Sequence, residues 1–134
     1  MAAAETVLIV RQCTFNEVRG LLVKAFEKGD HTGGALTIEE ACAGATQWAV
    51  ETAGGAVVMA YAMRSSGITC WIVAAAGGMP GVDLTRAVLP VIAEQARAMG
   101  CEQLAVTTKR GGLMTKLDRA GWTAAAITYR KKIV

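Results

Sequence analysis

Residues 77–86, GGMPGVDLTR, join a glycine-rich loop to the start of a helical pattern. Glycines let a backbone approach an anion closely, and the first N–H groups of a helix are unpaired and favour negative charge. If a phosphate-bearing ligand binds here, Gly77, Gly78 and Gly81, with Thr85 and Arg86 just inside the helix, are the residues to hold it, Arg86 as counter-charge. Asp83 competes for the same N–H groups, because its carboxylate is placed to cap the helix. The loop lacks G-x-G-x-x-G and no βαβ repeat surrounds it, which excludes a dinucleotide fingerprint.

Other chemistry has less to build on. Cys13, Cys42, Cys70 and Cys101 form no C-x-x-C pair and His31 is the only histidine, so no metal site is expected and the thiols read as reduced and mostly buried. There is no G-x-S-x-G, no Walker loop and no H-x-x-x-H. The net charge of +3 conceals an asymmetry: residues 109–134 carry +6 and the remainder −3. Lys109, Arg110, Arg130, Lys131 and Lys132 could meet nucleic acid, a phosphorylated ligand or an acidic protein surface, or form a solvated face. The acidic balance elsewhere and the lack of a binding motif count against nucleic acid.

With 134 residues, 53% hydrophobic and 19% charged, the chain suits one globular domain over residues 1–134. No apolar run reaches the ~18 residues of a membrane span. The start MAAAETV lacks the basic and apolar regions of a secretory signal, so a cytoplasmic protein is expected.

The elements that must position the loop follow from spacing. Residues 6–12 are β-rich. Thr14 and Glu17 form a capping box ahead of a helix whose apolar positions recur at 3–4 spacing up to Gly29. Thr37 and Glu40 repeat the signal for a shorter helix to about Ala45. Strand-like runs at 46–52, 56–63 and 68–76 are separated by Gly54-Gly55 and Ser65-Ser66-Gly67, an antiparallel meander. A helix then runs from Asp83 to Gly100, with Pro90 expected to kink it. A strand at 102–108, a helix at 112–121 and a closing strand at 122–133 complete the order β-α-α-β-β-β-α-β-α-β. This is an α/β (α+β) architecture: a mixed, mostly antiparallel sheet of about six strands, with helices on both faces.

That order resembles the GNAT superfamily of acyl-CoA-dependent N-acetyltransferases over essentially the whole chain. Ala96 and Gly100 match the A-x-x-x-G that ends the family's long helix, and Gly121-Trp122 match the Gly-aromatic pair closing its last helix. The resemblance implies acetyl-CoA as cofactor, its pyrophosphate bound by a Q/R-x-x-G-x-G/A loop. Counting back from Gly100 puts Pro80, Asp83 and Thr85 where the family has its amide or basic residue and two glycines. Proline offers no donor, and a carboxylate would repel the pyrophosphate. The family's acid, a tyrosine on the last helix, falls on Leu117, and its asparagine on Arg110.

The remaining candidates for acid and base are Tyr129, on the closing strand, and Glu51, because no Asp, Glu or His lies between Ala53 and Val82. His31 is a further loop group. Two expectations follow from the resemblance. In one, a GNAT-fold protein has lost transfer chemistry and works through a protein partner or self-assembly, as a structural or accessory component such as one in a phage particle. In the other, it remains an acyl-CoA N-acyltransferase acting on an amine.

Overall fold

A computed structural model describes residues 7–30 and 32–133. In chain order the elements are β1 (Leu8–Cys13), α1 (Phe15–Gly29), α2 (Ile38–Ala41), β2 (Thr46–Thr52), β3 (Val57–Ser66), β4 (Thr69–Gly77), α3 (Leu84–Ala98), β5 (Gln103–Val106) and α4 (Gly111–Arg119). The sheet order is β1-β2-β3-β4-β5, antiparallel through β4 and parallel between β4 and β5.

Local signals set these boundaries. Both capping boxes form: Thr14 with Glu17, and Thr37 with Glu40. The turn from β3 to β4 needs a left-handed residue, and Gly67 supplies it at φ +58. α2 stops at Ala41 rather than near Ala45, because Gly44, at φ +73, turns the chain toward β2. α3 continues through Pro90 as one helix; the proline is exposed, so water reaches the carbonyl it leaves without a donor.

The sheet has helices on both faces, and strand alternation sorts its side chains between them. β3 sends Ala60 and Ala62 toward α1 and α2, where Val18, Leu22 and Ile38 pack on them. It sends Tyr61 and Met63 the other way, against Val88, Ile92 and Ala96 of α3. Small residues on one side let α1 lie close to the sheet; large ones on the other fill the space beneath α3.

The sixth strand expected at residues 122–133 does not form: the segment is irregular, with Ile127, Tyr129 and Ile133 strongly exposed. Only Trp122 packs onto the core. Ala124, Ala125 and Ala126 in its centre have little side chain to set against a neighbouring strand, and β5 offers an edge only four residues long. Among the described residues, no helix is long and apolar enough to cross a membrane.

Candidate functional site

The parallel ladder between β4 and β5 pairs Thr69 with Gln103 and ends at Ile72 with Val106. One residue further, β4 bulges. Its register against β3 jumps from Ile72–Met63 to Ala74–Ala62, leaving Val73 as the extra residue. A bulge bends its strand and increases the local twist, so β4 turns away from β5 at that point. The last five residues of β4, Val73–Gly77, therefore have a partner strand only on the β3 side. On the other side their backbone groups face a cleft.

Two cavities meet at the bulge and share Ile72, Val73 and Thr107. One is a slot of about 70 Å³ between the parted strands, walled by Leu22 and Phe26 of α1, Ala74 of β4, Thr108 and Leu113. The other is a chamber of about 260 Å³ bounded by Thr32, Leu36, Arg64, Ser66, Trp71 and Thr107. The slot is narrow and mostly apolar with a backbone edge, suited to an extended chain bearing amides. The chamber is more polar, and among the described residues its one charged side chain is Arg64, which donates to the Ala43 carbonyl at 2.9 Å.

The glycine loop leaves the far end of β4. Gly77 adopts φ +148, and a Cβ there would lie 2.3 Å from the Val58 carbonyl oxygen, so its place is set by packing against β3. The Gly78 N–H donates to the same oxygen at 3.1 Å. Met79 to Val82 form a tight turn closed by the Val82 N–H on the Met79 carbonyl at 3.1 Å, with Pro80 and Gly81 central and Gly81 at φ +74. Proline followed by a left-handed glycine is the type II turn pairing. Asp83 then caps α3, accepting from the Arg86 backbone N–H at 3.2 Å, and lies 3.3 Å from Lys116 Nζ of α4. Those contacts, the Arg86 N–H foremost, hold the Asp83 carboxyl below its ordinary range. Thr85 and Arg86 sit in the first turn, the Arg86 side chain exposed. The five loop residues are thus gathered at one end of β4, with the donors of Gly78 and Arg86 already engaged.

The acid and base candidates lie elsewhere. Glu51, on β2, is ion-paired with Arg11 of β1, which also reaches Glu17 at 3.3 Å; it does not line the slot or the chamber. Tyr129 is 89% exposed in the irregular terminal segment. His31 lies outside the described residues. Leu117, at the position of the family's tyrosine, is buried on α4. Of the basic group, Arg110 borders the slot and Arg130 lies over Gly33, while Lys109, Lys131 and Lys132 are exposed.

The four cysteines are free, three of them buried. Burial pushes the Cys42 and Cys70 thiols up, away from the thiolate a nucleophile needs. Among the described residues, no group of three His, Cys, Asp or Glu side chains is placed to hold a metal. Sequence reasoning missed the bulge at Val73, which no glycine or proline marks. It also missed Tyr61, fully buried, stacked on Trp48 with ring centroids 6.5 Å apart and donating to Gln95 Oε1 at 2.6 Å. Burial pushes the Tyr61 hydroxyl up to about 12.

No protein-family model matches this sequence, and no curated protein matches it. Solved structures do match its fold. The IAA acetyltransferase from Bacillus cereus aligns with a TM-score of 0.64 at 17% identity, over 86% of this chain and 75% of that one. A GNAT family acetyltransferase from Elizabethkingia anophelis, solved with acetyl-CoA bound, gives 0.66 at 12%, over 85% and 74%. Glucosamine-6-phosphate N-acetyltransferase from Arabidopsis thaliana gives 0.58 at 12%, over 96% and 99%. At such identities the likeness is one of architecture, and this chain has the GNAT acetyltransferase fold, in a sequence that has diverged widely.

Proposed function

We propose that this chain binds an acyl-CoA in the slot between β4 and β5 and promotes transfer of the acyl group to an amine in the chamber. The observation that carries this is the parting of the two strands at the Val73 bulge, which leaves a backbone edge facing a narrow apolar slot. A pantetheine arm is extended, with two amides and apolar links between them, and fits such an edge as a short added strand. The structural neighbour from Elizabethkingia anophelis, solved with acetyl-CoA bound, supports the same ligand.

Bound acyl-CoA supplies an activated thioester carbonyl. The chain holds the arm straight along β4, keeps bulk water from the apolar walls, and brings an acceptor to the bulge from the chamber. Amine attack forms a C–N bond and breaks the C–S bond; the amine proton leaves and the sulfur gains one. Neither Glu51 nor Tyr129 lines the slot or the chamber, so water in the open chamber serves as proton carrier in this scheme.

A second reading rests on a different observation. The Asp83 cap and the Pro80-Gly81 turn use donors that a pyrophosphate loop would offer, which favours a chain that has kept the fold and works by contact within a larger assembly. Calorimetric titration with acetyl-CoA separates the two. Micromolar binding followed by acetylation of an amine panel supports the acyltransferase. No heat at millimolar ligand sinks it, and mass spectrometry of co-purifying proteins then tests the contact role in the cytoplasm or in a particle.

A further inference from the structure

The slot does not end at the glycine loop. A wider cavity of about 490 Å³ continues from it, sharing Ala25 and Arg110 and floored by Ala76 and Gly77 at the end of β4. Among the described residues its charged walls are all cationic: Lys24 and Lys28, one turn apart on α1, and Arg110 from the β5–α4 connection. Among the described residues no carboxylate lines it and neither lysine has an ion-pair partner. Like charges four residues apart on a helix repel. Lys28 complements the negative end of α1, but Lys24 lies a turn too early for that role.

Arg110 is held in place. Its Nη2 donates to the Ala25 carbonyl at 3.0 Å, and Gly29 makes room for it: a Cβ there would sit 2.7 Å from Arg110 Nε. A guanidinium has five N–H donors, so the bond to Ala25 leaves others for the cavity. At the neighbouring α3 N-terminus, the protein's own Asp83 takes the place of an external anion.

We infer that Lys24, Lys28 and Arg110 form an anion site at the outer end of the slot that holds the phosphate groups of the acyl-CoA, in place of the α3 N-terminus. The site rests on the acyl-CoA reading above and specifies where the ligand's charge is met.

The test is calorimetric titration of the full chain with acetyl-CoA and with S-acetyl-pantetheine, which has the same thioester arm and no nucleotide. The double variant Lys24→Ala/Lys28→Ala is expected to weaken acetyl-CoA binding by about 10-fold or more, with S-acetyl-pantetheine and the circular dichroism spectrum unchanged. Arg86→Ala is expected to change neither titration. Loss confined to Arg86→Ala returns the phosphates to the α3 N-terminus and overturns this site, while the acyl-CoA reading stands. Equal weakening of both ligands by the lysine variant also overturns it, since the lysines then support the arm or the fold. If wild-type protein binds no acetyl-CoA at millimolar concentration, the acyl-CoA reading falls and takes the site with it.

Discussion

Asp83 closes the N-terminus of α3 by accepting the backbone N–H of Arg86 at 3.2 Å, at the point where the glycine loop delivers the chain into the helix. Replacing it with alanine removes a cap and the contact with Lys116. Asp83→Ala is expected to lower Tm by about 3 °C. Because the folded carboxyl lies below its ordinary 3.8, its contribution is present above that pH and is lost as pH falls through the folded value. The difference in Tm between wild type and variant therefore narrows below pH 3.8, as thermal melts across an acid series can check.

Gly77 tolerates no side chain. A methyl group would meet the Val58 oxygen at 2.3 Å and the Met59 Cα at 2.5 Å, both backbone atoms of β3. Gly77→Ala is expected to cost about 3 kcal/mol in urea denaturation. Gly81→Ala, in open space and strained only by its φ of +74, should cost about 1 kcal/mol.

Tyr61 and Gln95 tie the centre of the sheet to α3. Tyr61→Phe leaves the half-buried Gln95 oxygen without this donor and should cost about 1–2 kcal/mol by chemical denaturation. The wild-type hydroxyl is raised to about 12, so the folded state holds its proton more tightly than the unfolded chain. Its contribution is complete below pH 10 and declines by about 1.4 kcal/mol per pH unit from there to about 12. Tyr61→Phe lacks that alkaline decline, and comparing denaturation midpoints on either side of pH 10 tests it.

Ala25 borders both the slot and the cationic cavity from α1. Ala25→Leu puts a good helix former into unfilled apolar space, which should leave Tm unchanged or raise it by a few degrees. The same atoms occupy the path proposed for the pantetheine arm, and acetyl-CoA affinity should fall at least ~10-fold. Unchanged affinity in a well-folded variant removes the slot from the binding site.

What was legible in the sequence is what short-range chemistry decides. The capping pairs Thr14–Glu17 and Thr37–Glu40 start their helices as read, β2 occupies 46–52, and Asp83 caps α3. Pairings between distant segments were not legible. The Val73 bulge exists only as a register shift between β3 and β4, within the featureless run WIVAAA. Glu51 looked available because its partner, Arg11, lies forty residues earlier. Lys24 and Lys28 have the spacing of any solvated helix face, and nothing local shows that Arg110 comes to join them. The terminal segment misled in the opposite direction, reading as a closing strand for which β5 offers an edge of only four residues.

β5 has a consequence for how the protein breathes. It is an edge strand of four residues, joined to the sheet by a short parallel ladder and reached only after the long α3 crossover. Local opening with a low free energy concentrates in such elements. Amide hydrogens of Leu104–Val106 and α4 should therefore exchange with solvent ahead of those in β2 and β3. The slot's outer wall is then the part of the sheet that loosens first, so a molecule can enter as that wall frays. Once lodged between β4 and β5, it would act as a missing strand and slow exchange across the edge that admitted it.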